Sequence, residues 1–302
     1  MLGPGDRIGR YTIEAPLGRG AMGAVFRAHD SLMRRPVALK VLGGEASSPT
    51  NPESRARFFR EARTAGALQH PNVVSIFDVG EAEGHLYLAM ELVDGTSLRA
   101  LVGDAQVSLG VRIRWMIDVA RALGAAHRMG LVHRDVKPEN ILVSREGVTK
   151  LADFGVVKVA IEHAPMSFRT KTGQLLGTPD YMAPEQWHGA DVDARADQYA
   201  WGLVTYELLT GKPVPLGKAP PLGAVAPDVP DVLRAAVDRA LEHDRARRFA
   251  SMDELLAAVE GRASLPPSGP MSPRVLDAIA AVENIASAPT VSAPPPALSA
   301  PP

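Results

Sequence analysis

Three glycines, Gly18, Gly20 and Gly23, stand shortly before a lysine, Lys40, that closes the apolar run Val37-Ala38-Leu39. Glycine lets backbone N–H groups approach an anion that a side chain would hold off. Lysine adds a compact positive charge. Together they have the chemistry to cradle phosphate groups. Glycines at this spacing also mark dinucleotide folds, but there a helix opens directly after them. Here Ala24-Val25-Phe26-Arg27 follows and reads as a strand. The glycines are therefore expected at the tip of a hairpin lying over nucleotide phosphates. Glu61 follows Lys40 by 21 residues on an expected helix, where a carboxylate would keep the amine charged and aimed. Flanked by Arg60 and Arg63, Glu61 equally suits an ordinary solvated helix face.

The elements that must position these groups are legible in outline. Strand-like runs cover residues 10–42, and a helix is expected over 53–69, bracketed by Pro52 and Pro71. Two more strands are expected in Asn72–Gly80 and His85–Val93. After Asp94-Gly95 the character turns helical. One helix spans 108–129, with Ser108 as N-cap and Gly130 as its stop, and others cover 194–210, 231–242 and 252–260. This gives a small β-rich lobe followed by a larger α-rich one.

The chain has 302 residues, 33 Lys+Arg against 34 Asp+Glu, and no cysteine. Disulfides, thiolate catalysis and Cys-ligated metals are excluded. A net charge of -1 argues against a broadly basic nucleic-acid binder. The eight histidines show no HExxH-type spacing, which argues against a metal hydrolase. Ten of the 26 prolines lie in residues 263–302, beside only three charged residues, Arg274, Asp277 and Glu283. That stretch has too little large apolar surface to offset its ordering entropy and reads as a flexible tail, either an end or a tether. A short amphipathic helix over 273–287 is the structured alternative, with transient helicity favoured over docking. Neither a signal peptide nor a transmembrane segment is expected, so the chain reads as cytoplasmic or as the cytosolic part of something longer.

The most specific run is His133-Arg134-Asp135-Val136-Lys137-Pro138-Glu139-Asn140, followed 13 residues after Asn140 by Asp153-Phe154-Gly155 and later by Gly177–Glu185. In these motifs the chain resembles the protein kinases, most closely the bacterial, eukaryotic-like serine/threonine kinases, over about residues 11–262. The resemblance implies an α+β, two-lobed kinase fold, with an N-lobe to about residue 93, preceded by a short extension over residues 1–10. It implies ATP with magnesium (or manganese) as cofactors, and protein substrates with Ser or Thr. Asp135 would take or orient the proton of the substrate hydroxyl, and Lys137 would neutralise charge on the transferred phosphoryl group. Asn140 and Asp153 would bind the metal, while Lys40, held by Glu61, would meet the phosphates. Val25, Ala38 and Leu142 would sandwich the adenine ring, with Leu17 also among the nucleotide-binding residues. Met90 takes the gatekeeper position, and Glu91 carbonyl and Val93 amide would meet the adenine edge.

By the same resemblance, Phe154, His133, Ala65 and Ile76 would stack between the lobes, weakly because alanine is small. Glu185 would pair with Arg248, and Asp197 would hold the catalytic-loop backbone. Lys137 with Thr178 points to Ser/Thr specificity. Arg134 marks a kinase whose activation loop, Val156 to about Leu176, is ordered by phosphate, with Thr170 and Thr172 as expected autophosphorylation sites in a transient kinase–kinase contact. The short segment Val214–Pro230, rich in Pro, Gly and Ala, departs from the family and leaves little room for a substrate-docking helix. The rival reading, a pseudokinase-like ATP-binding scaffold, is disfavoured because Lys40, Glu61, Asp135, Asn140 and Asp153 are all present.

Overall fold

The computed structural model describes residues 2–20, 23–43, 52–154, 179–187, 192–214, 219–260 and 275–276. Its first part is a six-stranded antiparallel sheet in the order β1-β2-β3-β4-β6-β5. The strands are β1 (Arg7–Ile8), β2 (Tyr11–Gly20), β3 (Gly23–Asp30), β4 (Arg35–Leu42), β5 (Ile76–Ala82) and β6 (His85–Met90). Helix α1 (Pro52–Gly66) lies between β4 and β5 and buries Phe58, Ala62 and Ala65.

Strand pleat decides what each residue faces, since successive side chains point to opposite sides. Val37, Leu39 and Val41 of β4 pack with Phe26, Ala28, Ile13 and Tyr11 in one outer cluster. Ala38, one residue out of phase, joins a different cluster on the opposite face, and Lys40 shares that face. Residues before Tyr11 belong to the sheet as well. β1 pairs with β2, Gly5 N–H donates to Ile13 O at 2.9 Å, and Ile8 is buried. The expected extension over 1–10 is thus largely part of the N-lobe.

The strand expected over Asn72–Gly80 begins at Ile76. The preceding residues instead bind the second lobe: Val74 N–H donates to Leu151 O at 3.0 Å and Leu151 N–H to Asn72 O at 2.8 Å. These bonds tie the segment after α1 to a three-stranded sheet of β7 (Gly95–Ser97), β8 (Ile141–Ser144) and β9 (Thr149–Leu151).

Among the other described residues the α-helices are α2 (Leu109–Arg128), α3 (Pro184–Trp187), α4 (Arg195–Thr210), α5 (Leu222–Val225), α6 (Asp231–Ala240) and α7 (Met252–Glu260). Ser108 caps α2 by accepting from Val111 N–H at 3.4 Å. Gly211, at φ 73°, stops α4 with its N–H on Glu207 O. Thirteen of the 16 residues of α4 are buried, and its Trp201 donates Nε1–H to Met116 O of α2 at 2.8 Å. The segment before α6 holds only the one-turn α5, so no long docking helix occurs among its described residues. Val275 is buried in the main core, so part of the expected tail packs on the domain; the remainder of 273–287 lies outside the described residues. Among the described residues no helix is long and apolar enough to cross a membrane.

Arg248, fully buried, pairs in this lobe with Glu185, whose side chain is largely buried. The guanidinium meets both carboxylate oxygens, at 2.7 and 3.0 Å, and also donates to Arg195 O, Glu242 O and His243 O. Burial would push the Glu185 carboxyl up, but the Arg248 bonds prevail and hold it below its ordinary value. Arg248→Met strands a buried carboxylate, so a loss of about 3–5 kcal/mol is expected. Urea unfolding of variant against wild type measures it.

Candidate active site

The cleft wall comes from strand register. Val25 on β3 is opposite Lys40 on β4, and Ala38 is opposite Met90 on β6. Ala38, Val74 and Met90 form a small buried cluster, with Val25, Leu92, Val93, Leu142 and Ala152 packed against it. Val25, Ala38, Met90, Val93 and Leu142, expected round an adenine, are thereby brought together. Leu17, expected with them, is 47% exposed and outside the cluster. Val74, Leu92 and Ala152 were not singled out by sequence. They are ordinary small or apolar residues, and only the fold brings them to this face. Glu91 follows Met90 directly, with its N–H on Ser75 O at 2.8 Å.

The three glycines divide by cause. A Cβ on Gly23, at φ 137°, would lie 2.1 Å from Val41 O, so β4 requires glycine there. A Cβ on Gly18 or Gly20 would meet nothing within 4 Å. Nothing in the chain itself demands glycine at those two positions, which suits close approach by a phosphate.

Opposite this wall, the loop between α2 and β8 is interlocked. Lys137 Nζ lies 2.9 Å from Asp135 Oδ2. Asn140 Nδ2 donates to Asp135 O at 2.8 Å and to its Oδ2 at 3.0 Å. Asn140 O accepts Ala152 N–H at 2.8 Å, which sets the next residue, Asp153, beside the loop. Lys40 Nζ meets Asp153 Oδ1 at 2.8 Å. The expected Lys40–Glu61 pair is not made: α1 is seated by its apolar residues in a position that leaves Glu61 outside ion-pair distance, and the nearer carboxylate is Asp153.

Arg134 and Asp153 both hold left-handed backbone, at φ 64° and 60°, which non-glycine residues adopt only under constraint. The constraint at Arg134 is visible. Buried Asp197, near the start of α4, accepts His133 N–H and Arg134 N–H, each at 2.7 Å, and the His127 ring at 2.8 Å. Gln186 Nε2 donates to Arg134 O at 3.3 Å. Burial would raise the Asp197 carboxyl, but His127 and the His133 N–H more than offset it and hold it below its ordinary 3.8. His133 is buried and kept neutral by desolvation; its Nε2 bonds Ala152 O at 2.9 Å and its ring lies 4.8 Å from that of Phe154. Ala65, Ile76 and Phe154 all belong to the main apolar core, and the His133–Phe154 ring contact is the part of the expected stack that is seen directly.

A charged hub was not foreseen. Arg99 reaches Glu139 at 2.7 Å and Glu207 at 2.6 Å, and the Tyr181 hydroxyl bonds both Arg99 and Glu207. It joins the loop bearing Asp135 to α4 and to the segment before α3. Its members are far apart in the chain and carry no shared local pattern. Thr170, Thr172 and Thr178 lie outside the described residues.

The donor set fits a hard cation. Asp153 offers carboxylate oxygens, and Asn140, its nitrogen spent on Asp135, can offer only its carboxamide oxygen. Two oxygen side chains suit magnesium, which keeps waters and phosphate oxygens as its other ligands. Among the described residues no group of three or more His, Cys, Asp or Glu side chains forms a larger metal cluster.

A model of the protein kinase domain matches residues 11–221. The chain belongs to the protein kinase family. It is 37% identical over 270 residues to a probable serine/threonine-protein kinase of Streptomyces coelicolor, covering 83% of this chain and 40% of that protein. It is 42% identical over 260 residues to serine/threonine-protein kinase Pkn1 of Myxococcus xanthus, covering 83% and 36%. The chain therefore spans well under half the length of these kinases. The crystal structure of the Mycobacterium tuberculosis PknI kinase domain superposes with a TM-score of 0.70 at 34% identity, covering 87% of this kinase and 100% of that chain. The two-lobed kinase fold is thereby established.

In this kinase Asp197 stabilises the fold as an anion. Its depressed value means the contribution is present above pH 3.8 and lost as pH falls through the folded-state value. Asp197→Asn is expected to melt well below wild type at pH 7, with the gap narrowing as pH drops under about 3.8. Paired thermal melts at pH 7 and pH 3.5 measure this.

Proposed function

We propose that this chain is the catalytic domain of a serine/threonine protein kinase, transferring the γ-phosphoryl group of ATP to a Ser or Thr hydroxyl of a protein. One observation carries the reading: the Asp135 carboxylate is held between Lys137 and Asn140, and Asn140 O anchors Ala152, the residue before the Asp153 that pairs with Lys40. The names of the relatives support the same class. The same proposal places it in the cytoplasm, by itself or as the cytosolic part of a longer protein.

The phosphoryl group in flight carries its charge on oxygens, so catalysis rests on in-line positioning and cations. Asp135 orients the attacking hydroxyl and accepts its proton. Lys137, already on Asp135, is close enough to neutralise charge on the transferred group. The Gly18–Gly20 backbone covers the phosphates, and Lys40 holds them from β4. Val25, Ala38 and Leu142 enclose adenine, and Glu91 and Val93 give its edge polar backbone partners. Magnesium, held by Asp153 and Asn140, would supply charge neutralisation at the phosphates. Lys40 and Asp153 now neutralise each other, so a productive complex needs Lys40 to shift toward phosphate and Glu61.

Incubation with labelled ATP, magnesium and a generic basic protein tests the reading. Asp135→Asn is expected to transfer at least about 100-fold less label than wild type. Equal transfer by the two proteins would leave an ATP-binding scaffold instead.

Autophosphorylation at Thr170 and Thr172 belongs to the same proposal, supported by Arg134 beside Asp135. Peptide mass spectrometry after incubation with ATP and magnesium is expected to find phosphate in the 168–173 peptide of wild type and none in Asp135→Asn. An active enzyme with that peptide unmodified would rule it out.

A further inference from the structure

The segment that joins the two lobes, Glu91 to Asp94, begins and ends on an acidic side chain, and both are gripped from one hairpin. Lys150 on β9 places its amine 2.9 and 3.0 Å from the two carboxylate oxygens of Glu91. Ser75 N–H approaches the same carboxylate at 3.3 Å. At the other end, Arg145 in the β8–β9 turn meets Asp94 Oδ1 at 3.0 Å and donates its backbone N–H to Asp94 O at 3.0 Å. The two ion pairs differ in quality. Side-chain exposure is 19% and 27% for Lys150 and Glu91, against 44% and 62% for Arg145 and Asp94. The half-buried Lys150–Glu91 pair is less screened by solvent and salt, so it carries the greater share.

Register gives Lys150 a second connection. On β9 it stands directly opposite Leu142 of β8. Leu142 packs in the same cluster as Ala38, Met90 and Val93. Lys150 therefore reaches both sides of one cleft: its backbone pairs with the strand that carries the apolar floor, and its side chain holds the linking segment that forms the polar edge. Separation of floor and edge is what an adenine ring must match.

We propose that Lys150 is a positioning residue for nucleotide binding, an ionic strap that sets the linker backbone at Glu91–Val93 against the Leu142 floor. The proposal rests on the nucleotide site described above and adds a residue that touches no substrate. A strap of this kind acts on binding in ground and transition state alike, so its loss raises KM and leaves kcat in place.

The test is ADP affinity by calorimetry with magnesium, together with steady-state kinetics, on the full chain. For Lys150→Met, the Kd for ADP and the KM for ATP are expected to rise about fivefold, with kcat and the KM for protein substrate unchanged. Lys150→Arg, which can still meet the carboxylate, is expected to recover most of the affinity. Glu91→Gln is expected to weaken ADP binding by a similar factor, and the double variant no further, because both changes remove one interaction. Wild-type affinity in Lys150→Met, or a kcat change without an affinity change, would overturn the strap while leaving the kinase reading intact. Affinity lost equally in Lys150→Arg would also overturn it, by showing that packing alone is at stake. A wild type that binds no ADP would overturn both, and one that binds ADP but transfers no phosphate would sink only the enzymatic reading.

Discussion

A buried carboxylate on α4 governs the geometry of the site. Asp197 accepts two consecutive backbone N–H groups, from His133 and Arg134, at a point where the chain takes a left-handed turn that L residues resist. A charged acceptor bonds N–H groups more strongly than a neutral one, and burial leaves water no chance to compete. Without that anchor the turn would relax, and Asp135, the next residue, would lose its direction. Helix α4 can carry the anchor because it is itself almost wholly enclosed, so the carboxylate cannot swing away.

From that point the site is assembled by short, overlapping bonds. Asp135 is tied to Lys137 and Asn140, Asn140 to Ala152, and Ala152 to His133, closing a ring from the catalytic loop to the strand end before Asp153. The facing wall relies on the pleat of β4, which sends Val37 and Leu39 outward and Ala38 and Lys40 into the cleft. One lobe is held by polar geometry and the other by alternation. The Val74–Leu151 and Lys150–Glu91 contacts join the two.

Much of this was legible in the chain. Helices over 195–210 and 252–260 fall within a residue of their expected bounds, because apolar periodicity and flanking glycine or proline mark them locally. The Glu185–Arg248 pair and the role of Asp197 followed from motif resemblance. Local pattern failed where a segment's partner lay elsewhere. Residues 72–74 look like the start of β5, yet their backbone groups bond β9. Ile8 falls in the short extension expected before the N-lobe, yet it pairs with β2 and is buried. Val275 sits in a stretch poor in apolar surface, and only the core's shape shows that this one side chain has a seat.

The sequence by itself determined the chemical inventory: which carboxylates, amines and glycines exist, and which strands and helices carry them. Residue type and short-range spacing are enough for that, because catalytic groups and local conformation are encoded within a few residues. Only the tertiary structure decided the partners. Lys40 has two candidate carboxylates, Glu61 and Asp153, and the seating of α1 gives it Asp153. Lys150 carries no local mark of a partner, and only folding sets it against Glu91, 59 residues away. An ion pair falls off within a few ångströms, so a choice between partners rests on distances that no local pattern contains.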